Sequence, residues 1–158
     1  MNNKLFIFGA SGFLGKSLSD NLVFGSEPVK VGRNCDGVFF DLEASTPEDL
    51  QHFTRSGDIW VFLAAITSPE ECESRPNFTL NINVDKTKNL ITWLTNRGIK
   101  VLFASSDTVF GSKLDLAYDE DAPQPMGKYA THKALVENFV STNNFVKVMR
   151  FSYILGHE

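Results

Sequence analysis

The most constraining feature of the chain is a short apolar run followed by three regularly spaced glycines. Leu5–Phe8 is apolar at every position, as expected of a strand buried on both faces of a sheet. Gly9, Gly12 and Gly15 then recur at every third position. This spacing permits a sharp strand-to-helix turn, close approach of a pyrophosphate and tight helix packing. The pattern predicts a dinucleotide-binding turn, although such a turn can also serve packing alone.

Composition excludes several classes of partner. The formal net charge is −4 and there is no basic run, which argues against nucleic acid or an anionic membrane surface as partner. No apolar stretch is long enough to span a bilayer. Cys35 and Cys72 lack metal-type spacing and the histidines are scattered, so no metal site is predicted. Free thiols suit a reducing compartment, and we expect a cytoplasmic location.

The rest of the chain alternates apolar runs with helical patterns. Further strands are predicted at residues 29–32, 37–40, 58–65, 100–104 and 145–151. Helices are predicted over residues 13–24, 46–57, 77–97 and 129–141. This alternation predicts one α/β domain over residues 1–158, a doubly wound parallel sheet of the Rossmann type with about six strands. The link before residue 37 is very short for parallel neighbours, so either a helix is lost or the third strand is misplaced.

Ligands of such sheets bind outside the carboxyl ends of the strands. Arg33 follows the second strand, where an acidic residue would accept a hydrogen bond from the ribose of NAD. An arginine there can pair with a 2′-phosphate, so NADP is the predicted cofactor, with NAD as the alternative. The alternative is a solvated arginine in a loop, without a ligand. Ala64 and Ala65 are small where the fourth strand ends, which leaves room for a ligand.

Tyr129 and Lys133 stand four residues apart and share one helix face. A nearby ammonium favours the phenolate of a tyrosine, whose ordinary pKa of about 10 makes it a poor base. The pair suits proton transfer at a carbinol oxygen while hydride moves at carbon. Ser106 could donate to the same oxygen as charge develops. Taken alone, Tyr129 and Lys133 also fit a solvated helix face.

Together these motifs resemble the extended short-chain dehydrogenase/reductase family over essentially the whole chain. The resemblance is carried by the glycine pattern, Asp41-Leu42, Ala64-Ala65, Asn83-Val84, Ser105-Ser106-Asp107 and Tyr129-xxx-Lys133. Residues 64–67, Glu71, residues 81–84 and residues 105–110 look most like the dTDP-4-dehydrorhamnose reductase branch. UDP-sugar epimerases and dehydratases are close behind.

The resemblance implies a role for each candidate site residue. For the pyrophosphate it implies Gly9, Ser11, Gly12, Phe13, Leu14 and Gly15. For the adenosine it implies Arg33 at the ribose and Asp41 and Leu42 beside the adenine. For the nicotinamide and the reaction it implies Ala64, Ala65, Ser106, Tyr129 as acid/base, and Lys133 tuning Tyr129 and holding the ribose.

The implied activity is that of an NAD(P)-dependent oxidoreductase acting on a nucleotide-linked 4-keto sugar. An epimerase or a dehydratase begins with the same hydride and proton step, so both stay open. His132 departs from the usual serine before Lys133. The family continues for about as long again after residue 158, so the resemblance implies a C-terminally truncated cofactor domain. A dinucleotide-binding regulatory module without turnover is the alternative, and a bare sheet face predicts a homodimer or docking to another chain.

Overall fold

The computed structural model describes residues 3–21, 27–111, 122–152 and 154. Six parallel strands form one sheet in the order β3-β2-β1-β4-β5-β6. The strands are β1 Leu5–Phe8, β2 Val29–Gly32, β3 Val38–Phe39, β4 Ile59–Phe62, β5 Lys100–Ser106 and β6 Val146–Phe151. The strand order reverses beside β1, so the carboxyl end of this strand lies at the switch point of the sheet. The predicted Rossmann-type architecture is confirmed.

Helices connect the strands. They are α1 Phe13–Asn21, α2 Pro69–Ser74, α3 Pro76–Leu80, α4 Thr87–Asn96 and α5 Lys128–Val140. A π-helical stretch, Asn81–Lys86, joins α3 to α4, so the long helix predicted over residues 77–97 is present with a locally wider turn. Residues 22–24 of the predicted first helix lie outside the described residues. No helix in the described ranges is both long and apolar enough to cross a membrane.

Three predicted elements are shorter than expected. The strand predicted over residues 58–65 spans only Ile59–Phe62. The helix expected over residues 46–57 is a single 3₁₀ turn, Pro47–Leu50, opened by a capping box between Thr46 and Asp49. The third strand pairs Val38 and Phe39 only with the last two residues of β2. The chain therefore need not return along the whole of β2, and residues 33–37 make the connection without a helix.

Aromatic side chains hold β1 in the core. Phe6 stacks on Trp60 of β4 with ring centres 5.1 Å apart. Phe8 forms T-shaped pairs with Phe40 and Phe62, with ring centres 5.5 Å and 4.9 Å apart. Each such pair adds about 0.5–1.5 kcal/mol beyond the apolar area it buries. The end of β1, from which the glycine turn departs, is therefore anchored on both sides.

Candidate active site

A cleft of about 810 Å³ opens along the carboxyl ends of the strands, a volume typical of small-molecule sites. Every site residue predicted from the sequence lines it. They are Gly9, Ser11, Gly12, Phe13, Leu14, Gly15, Arg33, Asp41, Leu42, Ala64, Ala65, Ser106, Tyr129 and Lys133. Their convergence is observed, while the role of each stays a prediction.

The three glycines of the turn are required for different reasons. Gly9 has φ +90°, and a Cβ there would come within 2.9 Å of the Ala64 backbone nitrogen. A Cβ on Gly15 would collide with the Gly9 carbonyl and the Ala10 backbone. At Gly12 a Cβ would meet only the Gly9 oxygen, at 3.3 Å, and this residue is exposed. Packing thus requires Gly9 and Gly15, whereas Gly12 leaves the backbone open to a ligand.

The first turn of α1 can receive an anion. The first amides of a helix have no partner within the helix and carry the positive end of its dipole. No acidic side chain stands in the first turn of α1. Ser11, Phe13 and Leu14 line the cleft at this point. The geometry fits a pyrophosphate bound by backbone N–H groups.

The adenosine side of the cleft follows β2 and β3. Arg33 is exposed and makes no salt bridge within the described residues. Asp41 is held in a turn, since its Oδ1 accepts from the Glu43 amide at 2.9 Å and its amide donates to Ser45 Oγ at 3.0 Å. Leu42 is buried beside it. A guanidinium and a fixed apolar wall are thus available at this end.

Lys133 is a buried cation at the opposite end. It is 5 % exposed, and its Nζ donates to the Ala104 carbonyl at 2.7 Å. The same Nζ lies 4.8 Å from the Phe103 ring centre and 5.8 Å from that of Tyr129. Burial lowers the pKa of Lys133 to about 8, although Glu137 acts in the opposite direction. Lys133 is therefore mainly an ammonium at neutral pH and loses its proton in mild alkali.

Tyr129 does not show the lowered pKa expected from Lys133. Burial of the phenol raises its pKa. A negative charge on Cys72, which forms only in alkali because burial also raises the pKa of that thiol, acts in the same direction. The Lys133 ammonium lies over the phenol ring and is engaged by a backbone carbonyl, so desolvation dominates at Tyr129. At neutral pH the phenol consequently keeps its proton.

Two serine hydroxyls lie at the end of β5. Ser106 caps the following 3₁₀ turn, Asp107–Phe110: its Oγ accepts from the Thr108 amide at 3.3 Å and the Thr108 hydroxyl at 3.0 Å. It also donates to Asp107 Oδ1 at 3.3 Å. Ser105 Oγ is buried and has no hydrogen-bond partner within the described part of the chain. No role was predicted for Ser105, although the motif Ser105-Ser106-Asp107 contains it.

Side chains of the α2–α3 region complete the cleft wall. Arg75 forms an ion pair with Glu71 at 3.0 Å and lies 3.9 Å from the Phe78 ring centre. All three line the cleft. None of them was predicted as a site residue, although Glu71 is among the residues that carry the family resemblance. Ser68 Oγ accepts from the Glu71 amide at 3.2 Å and so caps α2 beside the cleft.

Polar contacts join α5 to α2 and, through Asn83, to the segment that follows β4. Asn83 Oδ1 accepts from the Ile66 amide at 2.8 Å, and its Nδ2 donates to the Ile66 carbonyl at 2.9 Å. The same Nδ2 lies 3.4 Å from His132 Nδ1. Glu73 Oε1 accepts from the Lys128 amide at 2.8 Å, at the start of α5. The segment after β4 and the helix that carries Tyr129 are thus joined by side chains.

Comparison with known proteins identifies the family. The family described as RmlD substrate binding domain matches residues 3–158. The chain belongs to this family. The predicted resemblance to the dTDP-4-dehydrorhamnose reductase branch is thereby confirmed.

Two curated relatives of this RmlD-family chain differ in kind. GDP-6-deoxy-D-mannose reductase of Pseudomonas aeruginosa is 31% identical over 150 residues, which is 87% of this chain and 46% of that protein. Methionine adenosyltransferase 2 subunit beta of Bos taurus is 26% identical over 160 residues, which is 98% of this chain and 48% of that protein. The chain spans about half the length of the curated relatives it matches.

Solved structures of the family agree with the fold. A hypothetical dTDP-4-dehydrorhamnose reductase from Sulfolobus tokodaii has a TM-score of 0.82 at 25% identity, over 94% of this chain and 55% of that chain. RMD from Pseudomonas aeruginosa, complexed with NADPH, has a TM-score of 0.76 at 29% identity, over 96% and 53%. Homologous structures thus bind a nicotinamide dinucleotide.

Proposed function

We propose that this chain carries the cofactor-binding and acid/base part of an NAD(P)-dependent oxidoreductase that reduces a nucleotide-linked 4-keto sugar. The main support for this proposal is that one cleft joins the glycine turn to Tyr129 and Lys133. The GDP-6-deoxy-D-mannose reductase relative and the NADPH complex support this substrate class and this cofactor.

The residues present fit a dinucleotide. The open backbone at Gly12 and the first amides of α1 would hold the pyrophosphate. Arg33 would pair with a 2′-phosphate, which makes NADP the preferred form, and Asp41 and Leu42 would flank the adenine. Ala64 and Ala65 would line the nicotinamide. The bound nicotinamide supplies the hydride.

Tyr129 is suited to act as the acid in the direction of reduction. Because burial raises its pKa, the phenol retains the proton that a carbonyl oxygen needs when hydride reaches the carbon. The Lys133 ammonium stabilises the negative charge left on the phenol oxygen. Ser106 would donate to the substrate oxygen, which requires its hydroxyl to leave Asp107 Oδ1.

Dinucleotide binding is the first test, measured by the change in nicotinamide fluorescence. We expect NADPH to bind more tightly than NADH. Arg33→Ser should weaken NADPH binding about ten- to a hundredfold and leave NADH binding nearly unchanged, since only the 2′-phosphate contact is lost. Arg97→Ser is the matched control, because Arg97 is exposed and lies against Trp93 at the end of α4. Failure to bind either dinucleotide would overturn the proposal.

Turnover of nucleotide-linked 4-keto sugars is the second test. Tyr129→Phe should abolish turnover and leave NADPH binding intact, because the ring remains and only the proton donor is lost. Analysis of the product separates reductase from epimerase and dehydratase chemistry. NADPH binding without turnover would favour the second candidate below.

A dinucleotide-binding regulatory module is that second candidate. It is favoured by the likeness to methionine adenosyltransferase 2 subunit beta, which is named as a subunit of another enzyme and covers 98% of this chain. In this role Tyr129 and Lys133 would contribute binding contacts alone. The chain would then bind NADPH and show no turnover of any sugar nucleotide.

Self-association belongs to the same proposal. Large apolar side chains are exposed on α5 and β6, among them Leu135, Phe139, Val148 and Met149. A second copy of the chain would remove this surface from water. Sedimentation should show a concentration-dependent dimer, and a monodisperse monomer that binds no hydrophobic dye would contradict it. The free thiols of Cys35 and Cys72 are consistent with a cytoplasmic location.

A further inference from the structure

His132 is a buried imidazole beside the end of the cleft that holds Tyr129 and Lys133, here called the catalytic end. It lies on α5 between Tyr129 and Lys133, is 2 % exposed, and its Nδ1 is 3.4 Å from Asn83 Nδ2. The proposed chemistry gives it no role. Its neighbour Asn83 holds both backbone groups of Ile66, in the segment that follows Ala65.

The hydrogen bonds of Asn83 determine the state of His132. The amide orientation is fixed, since reversal would place NH₂ against the Ile66 N–H and oxygen against the Ile66 carbonyl. One Nδ2 hydrogen goes to the Ile66 carbonyl, which leaves the second for His132 Nδ1. Cys72 Sγ lies 4.0 Å from the same nitrogen and is the weaker acceptor. His132 Nδ1 must therefore carry a lone pair, with the imidazole proton on Nε2.

We propose that neutral His132 is a positioning residue, which holds Asn83 and through it fixes the Ile66 segment relative to Tyr129. This inference rests on the proposed function, because the segment containing Ala65 and Ile66 would line the nicotinamide. Protonation would turn His132 Nδ1 into a donor that faces another donor. The Asn83 amide would then lose its anchor on α5, and the wall of the cleft would loosen.

The surroundings of His132 favour its neutral form. Burial lowers its pKa, and the charge of Lys128 on the same helix acts in the same direction. Glu73 on α2 opposes both. The Cys72 thiol on α2 stays protonated in this range, since burial raises its pKa. His132 is therefore neutral at neutral pH, and it is protonated only at pH values below the ordinary histidine pKa of 6.5.

Three variants separate positioning from packing. His132→Asn keeps an acceptor close to the Nδ1 position and cannot titrate. His132→Phe fills similar space without an acceptor. His52→Asn is the matched control, because His52 is exposed and follows the 3₁₀ turn of Pro47–Leu50.

The first readout is nuclear magnetic resonance, which needs no dinucleotide. We expect the His132 signals to report the Nε2–H tautomer at neutral pH. The protection factor of the Ile66 amide against hydrogen exchange should fall about tenfold as His132 is protonated, and His132→Asn should remove that fall. In His132→Phe the protection should be low at every pH. An Nδ1–H tautomer, or Ile66 protection that ignores the His132 titration, would overturn the inference.

The second readout is the affinity for NADPH between neutral pH and pH values below 6.5. The 2′-phosphate of NADPH titrates at about pH 6 in every variant, so some affinity should be lost with acid throughout. The wild-type chain and His52→Asn should lose affinity together as the pH falls, and clearly more than His132→Asn. If NADPH binds and its affinity is equally acid-sensitive in His132→Asn, the inference fails and the proposed function stands. If no dinucleotide binds, the proposed function fails, and the Ile66 exchange profile still decides the inference.

Discussion

The two ends of the cleft are built by different means. At the glycine end a helix N-terminus is left open: α1 has no acidic residue in its first turn, and the shaping contacts join Gly9, Gly15 and Ala64 through backbone. At the catalytic end a helix N-terminus is closed, since Glu73 accepts from the first amide of α5. An open terminus can receive a ligand, whereas a closed one can hold a side chain in place.

The cations of the two ends differ in the same way. Arg33 stands in solvent and can meet a phosphate at little cost to folding. Lys133 is buried, and its charge is opposed by desolvation. The glycine end should therefore respond to changes in space and the catalytic end to changes in charge and hydrogen bonding.

Gly15→Ala should give the largest effect, because its Cβ would collide with backbone atoms that cannot move aside. We expect a loss of about 3 kcal/mol in unfolding free energy or failure to fold, measured by urea denaturation. Gly12→Ala is the comparison, since its Cβ would meet a single atom, the Gly9 oxygen at 3.3 Å, and it should cost far less stability while NADPH binding weakens. If Gly12→Ala destabilised the fold as much as Gly15→Ala, the two glycines would not differ as described.

The glycine end was predictable because its determinants are local. The order and spacing of Leu5–Phe8, Gly9, Gly12 and Gly15 encode the strand, the turn and the close packing directly. The parallel α/β sheet of about six strands followed from the alternation of elements, whereas its strand order comes from the structure. The sequence showed that the β2–β3 link is short. It did not show how so short a link can join parallel strands, because that depends on β3 pairing with only two residues of β2.

At the catalytic end, the sequence predicted which residues take part, but it did not predict their protonation or their hydrogen-bond partners. Tyr129 and Lys133 were found by spacing, yet the direction of the Tyr129 pKa depends on burial that spacing does not report. The contacts of Glu73 with Lys128 and of Asn83 with His132 join residues far apart in sequence. No local pattern indicates which distant group will satisfy a buried donor.

Lys133→Met should abolish turnover and raise stability. In the wild-type chain the Lys133 pKa is lowered from 10.5 to about 8, so the folded state disfavours its charge. The unfolded chain then binds more protons between these values, and wild-type stability rises with pH across this window. We expect Lys133→Met to be more stable by about 2 kcal/mol at neutral pH, after loss of the Ala104 hydrogen bond.

The advantage of Lys133→Met should shrink as the pH rises from about 8 towards 10.5, where lysine is neutral in both states. Urea denaturation at a series of pH values measures it. Lys128→Met is the control on the same helix, since Lys128 is exposed, and it should show no such trend. A stability difference that stays constant over this range would mean that Lys133 is not buried as a cation.

Glu73→Ala should give the smallest loss of unfolding free energy. It tests the contribution of the closed N-terminus of α5 directly. Loss of the carboxylate that accepts from Lys128 N should cost about 1 kcal/mol in urea denaturation, a usual value for a helix cap. Glu73→Gln keeps an acceptor and should recover about half of that loss. Glu70→Ala is the matched control, because Glu70 is exposed on the same helix.

Because α5 carries Tyr129, turnover should fall in Glu73→Ala while NADPH binding at the glycine end is retained. Equal loss of turnover and of NADPH binding would show that the two ends are not independent.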